Sequence, residues 1–192
     1  MIDSHTHLML CDGSEEELVD AALAAGVGRM LTIGMGAETN PVAVASAERH
    51  EAVFAAVGRH PNDATGFDEA AAEEIRRLGA HEKVRAIGET GLDFYRDSAA
   101  PEDQRRAFAA QIGIARELGM PIVIHARDPD GESANDGRHR IFPQEKFGAF
   151  ASGISRLLGL LPGIACHRRN LVRGLAKPAR DIVGRSFLTG PH

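Results

Sequence analysis

The feature that most narrows the possible folds is a regular alternation, through the first two thirds of the chain, of short apolar runs with helical patterns. Arg29-Met30-Leu31-Thr32-Ile33, Val53-Phe54-Ala55-Ala56-Val57, Val84-Arg85-Ala86-Ile87 and Ile122-Val123-Ile124 are rich in β-branched residues, and each gives way to glycine or a polar residue. Runs that are apolar on both faces suit strands of a parallel sheet covered by helices, whereas a strand with one wet face would alternate. With residues 1–4 they make five candidate strands. Between them, Ser14 followed by Glu17 is a capping box that opens a helix over 15–25. Further helices are expected over 41–49, over 67–78, and over 102–118, behind Pro101 and up to Gly119. The helix over 67–78 carries its acids first and Arg76-Arg77 last, the order a helix dipole favours. Strand and helix repeating every ~25–35 residues is the βα unit of an α/β protein.

Five such units occupy residues 1–127. A closed (β/α)8 barrel takes ~250 residues, so the expectation is an α/β fold of TIM-barrel type that is incomplete, with an irregular C-terminal part. Loop signals follow Arg127, at Asp128-Pro129-Asp130-Gly131 and Asn135-Asp136-Gly137. Phe147, Phe150, Ile154, Leu157, Leu158 and Leu161 then recur at helical spacing, weakened by Gly148, Gly153 and Gly159, and Gly163-Ile164-Ala165-Cys166 reads as one more short strand. The charge balance changes at the same place. Residues 1–136 hold 25 Asp and Glu against 12 Lys and Arg, a net −13, while residues 137–192 hold 2 against 10, a net +8. The chain therefore divides into a barrel portion, 1–136, and a basic, atypical segment, 137–192. With 43% hydrophobic and 26% charged residues the composition is globular. No run reaches the ~20 apolar residues of a membrane span, no basic leader precedes an apolar stretch, and two cysteines, Cys11 and Cys166, make no disulfide framework, so a cytoplasmic setting is expected.

Three strand ends carry side chains with chemistry. His5 and His7 stand at i and i+2, so on an extended strand both imidazoles project to one face and can reach one metal ion; a chance surface pair is the bland alternative. Glu89, in Ile87-Gly88-Glu89-Thr90-Gly91-Leu92-Asp93, follows an apolar run between two glycines, which let backbone approach a ligand closely; the bland alternative is a solvated loop glutamate. His125 ends Ile122-Val123-Ile124-His125 and alone would pass for a satisfied core residue. Together the three place His and Glu at the carboxyl edge of the sheet, where α/β folds put their active sites. His60, in Gly58-Arg59-His60-Pro61, and Arg127 are candidates to hold a substrate phosphate. His50, His81, His139 and His192 fall in helix ends or loops and are read as solvated, and Cys11 has no metal-ligand spacing to His7. No phosphate-binding P-loop, nucleophile elbow or dinucleotide fingerprint is present.

Asp3-Ser4-His5-Thr6-His7-Leu8, Gly58-Arg59-His60-Pro61, Ile87-Gly88-Glu89-Thr90-Gly91-Leu92-Asp93-Phe94-Tyr95 and Pro121-Ile122-Val123-Ile124-His125-Ala126-Arg127 resemble, in order and spacing, the motifs of TatD-like metal-dependent deoxyribonucleases, a TIM-barrel branch of the amidohydrolase superfamily. The resemblance covers about two thirds of the chain. It implies hydrolysis of phosphodiester bonds in DNA, single-stranded by expectation, with two divalent ions (Mg²⁺, Mn²⁺ or Zn²⁺), His5 and His7 on the first, Glu89 bridging as the catalytic carboxylate, and His125 on the second. The family's later histidine and aspartate stretches are not recognisable: Cys166-His167 lies at the wrong distance and Asp181 has the wrong neighbours. A shift of coding frame near Asn135 to Gly137 would explain both this loss and the change of charge; it fails if translation in the other two frames does not yield the missing motifs. The alternatives are a weak or inactive metal-binding remnant, a basic nucleic-acid-binding arm on a metal domain, and a non-nuclease amidohydrolase. The net −13 of residues 1–136, one tyrosine (Tyr95) and no tryptophan disfavour a broad nucleic-acid surface, so contact with DNA is expected to be local.

Overall fold

The computed structural model describes residues 1–96, 98–127 and 140–142. Five parallel strands follow one another in sequence order, β1 (Ile2–Thr6), β2 (Arg29–Ile33), β3 (Val53–Val57), β4 (Val84–Asp93) and β5 (Ile122–Arg127), and curl into half of a barrel. The crossovers are α1 (Glu15–Ala24), α2 (Thr39–Arg49), α3 (Glu69–Gly79) and α4 (Pro101–Glu117). A short β6 (Arg140–Phe142) runs antiparallel beside β5. The α/β reading of incomplete barrel type therefore holds, while β6 was not foreseen. The helix expected over 147–161, the strand at 163–166 and most of segment 137–192 lie outside the described residues.

Local chemistry accounts for the helix starts. The Ser14–Glu17 capping box forms: the Glu17 amide donates to Ser14 Oγ at 3.3 Å and the Ser14 amide to Glu17 Oε2 at 3.1 Å. Asp68 caps α3 by accepting from the Ala71 amide, and Pro101 supplies the first residue of α4, where its missing N–H costs nothing. The strands are apolar on both faces because both faces are covered. One face packs against the helices through Met30, Val53, Val57, Ile87 and Ile122, which meet Ile114 of α4 in one cluster, while Leu31, Ile33, Ala56, Ala86 and Val123 form a second, smaller cluster on the inner face. Among the described residues no helix is long and apolar enough to cross a membrane.

Two strand boundaries differ from expectation in a way that matters for function. β1 extends to Thr6, so His5 lies within it and His7 just beyond. β4 continues through Glu89 to Asp93 instead of ending at Ile87, so the glutamate is 1% exposed within a ten-residue strand and is no loop residue. Gly88 (φ +130°) and Gly91 (φ +145°) serve the neighbouring strand, not a ligand: a Cβ at Gly88 would collide with the Val123 carbonyl and one at Gly91 with the His125 carbonyl. Glycine at 91 lets β4 and β5 pair with His125 directly opposite it.

Candidate metal centre

The carboxyl ends of β1, β4 and β5 bring the expected residues together. Among the described residues two groups of three donors form, His5 with His7 and Glu89, and His60 with Glu89 and His125, with donor atoms in each group within 4.8 Å of one another. Glu89 belongs to both. His5 Nε2 and His7 Nε2 are 3.2 Å apart, and Glu89 Oε2 is 3.6 and 3.7 Å from them. Ligands at bond lengths of ~2.1 Å around a tetrahedral ion stand about 3.4 Å apart, so the three atoms already outline one side of such a shell.

The hydrogen bonds around the rings decide which nitrogen is available. His7 Nδ1 lies 2.8 Å from the Ile33 carbonyl oxygen, which can only accept. The proton is thereby placed on Nδ1, and the Nε2 lone pair faces His5 and Glu89, the usual support of a metal-bound imidazole. His60 is different. Its Nδ1 accepts the Asn62 amide at 3.1 Å, so the neutral ring carries its proton on Nε2 and presents a donor. The ring sits edge-on to that of His125, centroids 4.4 Å apart.

His125 stands between two carboxylates: Nδ1 is 3.0 Å from Glu89 Oε1 and Nε2 is 3.0 Å from Asp93 Oδ2. Burial alone would lower its pKa, but Glu89 and then Asp93 outweigh that and hold it above the ordinary histidine value. Burial likewise pushes the Asp93 carboxyl upward, yet the Arg96 amide and His125 bring it below the usual value. Sequence reasoning passed over Asp93. The signal was present, since Glu89, Gly91 and Asp93 are alternate residues and share a face once the strand is known to continue.

Arg127 ends β5 with its guanidinium stacked over the exposed Tyr95 ring, 4.1 Å from the centroid. Cys11 is not a donor to either group, and its thiol is 3.4 Å from the His7 carbonyl oxygen. His50 and His81 are not simply solvated: His50 Nε2 is 2.9 Å from Glu15 Oε1, and His81 Nε2 is 3.1 Å from Glu48 Oε1. His139 and His192 lie outside the described residues.

Three buried carboxamides fasten the rim to the helices, and the sequence assigned none of them a role. Asn40 on α2 brackets Gly58, donating to its carbonyl at 2.9 Å and accepting its amide at 3.1 Å. Gln111 on α4 accepts the Arg59 amide at 2.8 Å and donates to Thr90 Oγ1 at 2.7 Å and to the Arg59 carbonyl at 3.1 Å. Gln104 accepts the Asp93 amide at 2.8 Å and donates to the Asp93 and Ala99 carbonyls at 2.9 Å each. A Gln104→Leu substitution strands those three backbone groups, so a loss of about 2–4 kcal/mol in denaturant-measured stability is expected; an unchanged unfolding midpoint would show the clamp to be inconsequential.

The comparisons with known proteins point to one family. The family model described as TatD related DNase matches residues 2–148. The chain is 32% identical over 179 residues to a 3'-5' ssDNA/RNA exonuclease TatD of Cronobacter sakazakii, a match covering 93% of this chain and 60% of that protein. It is 40% identical over 139 residues to an uncharacterized metal-dependent hydrolase TatD of Mycobacterium tuberculosis, covering 68% and 53% of the two. Among solved structures, a TatD homologue from Escherichia coli K12 superposes with a TM-score of 0.62 at 30% identity, over 66% of this chain and 51% of that one. A TatD family hydrolase from Entamoeba histolytica shares the fold at TM-score 0.61 and 16% identity, over 83% and 54%. The chain thus spans between about half and three fifths of these proteins' lengths, and with the motif-bearing strands all inside the matched region, it belongs to the TatD-related DNase family.

Proposed function

We propose that the chain binds two divalent metal ions and hydrolyses phosphodiester bonds of single-stranded DNA as an exonuclease. The observation that carries this is the convergence of His5 Nε2, His7 Nε2 and Glu89 Oε2 within 3.2–3.7 Å, with His7 Nδ1 already committed to Ile33. His5, His7 and Glu89 would hold the first ion, and Glu89 with His125 the second. Mixed imidazole and carboxylate donors suit Zn²⁺, Mn²⁺ or Mg²⁺. Such ions supply a water of lowered pKa and neutralise phosphate charge.

The chain's own residues do the rest. Glu89 brings one buried carboxylate to both donor groups, and its amide donates to the Gly34 carbonyl at 3.2 Å, so β4 is tied to the end of β2 as well as to its strand neighbours. His60, with its proton on Nε2, offers a hydrogen bond to an anionic oxygen, which supports the phosphate-holding role better than ligation. Arg127 brings a fixed positive charge and, with Tyr95, a flat surface on which a base can stack.

The test is release of nucleotides from an end-labelled single-stranded DNA with added Mn²⁺, Mg²⁺ or Zn²⁺, comparing the full chain with His5→Ala. A drop of at least about 100-fold is expected on loss of a ligand; equal rates would remove His5 from the chemistry. Among the described residues the second group keeps two ligating residues, Glu89 and His125, once the proton on His60 Nε2 is counted, and this favours the inactive-remnant reading. Zinc uptake without any nucleotide release would select it. The division at residue 136 and a cytoplasmic setting belong to the same proposal, and the former is checked by reading the encoding DNA in its other frames.

A further inference from the structure

We infer that Asp93 is a positioning residue for the second ion: its carboxylate accepts a hydrogen bond from His125 Nε2–H, which keeps the ring's proton there and leaves Nδ1 bare and turned toward Glu89. The inference rests on the two-ion reading above and names a residue that reading does not use. It stands on the register. His125 pairs with Gly91, and Glu89 and Asp93 flank that glycine two residues before and two after, so one carboxylate meets each ring nitrogen, both at 3.0 Å. A neutral imidazole carries one proton, and a nitrogen that ligates must be without it. Ligation beside Glu89 therefore requires the proton to sit on Nε2, where Asp93 is the acceptor.

Asp93 is well fixed for this. It is 1% exposed, its Oδ1 accepts the Tyr95 and Arg96 amides at 3.1 and 3.0 Å, and only Oδ2 is directed at the ring. Gln104 holds the same residue's amide and carbonyl, as described above. The division of labour between the two oxygens makes the role separable from turn capping. In an Asp93→Asn variant the carbonyl oxygen keeps the two backbone amides, and the side-chain NH₂ then faces Nε2. That nitrogen must accept, and the ring's proton moves to Nδ1, the atom that ligation needs bare.

The experiment is a titration of the metal-free full chain with Zn²⁺ alone by calorimetry, with bound zinc counted after dialysis, for the parent, Asp93→Asn, Asp93→Ala and His125→Ala. The parent is expected to take two ions. Asp93→Asn should weaken the second by roughly 10- to 100-fold, leave the first in place, and melt with the parent when metal-free, whereas Asp93→Ala should melt lower as well. Parent-like affinity for the second ion in Asp93→Asn, with His125→Ala losing it, overturns the inference alone. So does an equal fall in metal-free melting temperature for Asn and Ala, since that is the mark of a residue that only caps a turn. A second ion retained in His125→Ala, or never taken up by the parent, overturns the two-ion reading and this inference with it.

Discussion

Glu89→Gln is expected to abolish tight binding at both ion positions at once. Every other proposed ligand serves one donor group, whereas Glu89 gives Oε2 to His5 and His7 and Oε1 to His125. An amide keeps the size of the side chain but lacks its charge, and it presents a nitrogen where one of those oxygens stood. Losing a shared ligand should cost at least about 100-fold in zinc affinity at each position, judged against the 10- to 100-fold that even outer-shell partners contribute. If the two-ion reading holds, hydrolysis of single-stranded DNA should fall about 10³-fold, equivalent to about 4 kcal/mol of transition-state stabilisation. Bound zinc counted after dialysis, beside nucleotide release, decides the matter. Retention of both ions by Glu89→Gln would mean that the carboxylate is a structural partner of three histidines and no more.

Metal loading should also raise the thermal stability of the parent substantially. The proposed ligands come from β1, β4 and β5 and from the loop after β1, which are far apart in an unfolded chain, so an ion binds the folded state almost exclusively. At one hundred times its dissociation constant, an ion at the His5–His7–Glu89 position adds about 2.7 kcal/mol. For a domain of this size that corresponds to a rise of about 10 °C in melting temperature. A thermal melt with excess Zn²⁺, repeated with EDTA, measures it, and His5→Ala should lose most of the difference. Superimposable melts with ion and chelator would leave the convergence of these side chains without a thermodynamic consequence.

The sequence made the strand order and the family legible for a simple reason. Val53, Val57, Ile87 and Ile122 are buried on one face of their strands and Ile33, Ala56 and Val123 on the other, so the runs read as apolar without interruption. His5, His7 and His125 were legible for the same reason, because polar side chains at the ends of such runs are conspicuous. The same rule concealed half of β4. Glu89-Thr90-Gly91-Leu92-Asp93 is written like a loop, and two buried carboxylates inside a strand are tolerable only with partners arriving from β1 and β5. Those partners are 32 to 84 residues away in sequence, beyond any local pattern. Asn40, Gln104 and Gln111 were hidden by the converse effect: each looks like an ordinary polar residue of a helix, and only the tertiary fold shows it to be buried against a strand end. The Glu15–His50 and Glu48–His81 pairs likewise join elements that the sequence leaves unrelated.

The carboxamides at 40, 104 and 111 grip main chain at Gly58, Arg59 and Asp93, whereas the ion donors are side chains at the strand ends. Frame and chemistry are therefore held by different residues. A designer who wished to give this half-barrel another reaction could rewrite the ion-binding side chains at the strand tips, as one changes the tools in a fixed jig, provided those amides and the turn-capping Asp93 were left alone.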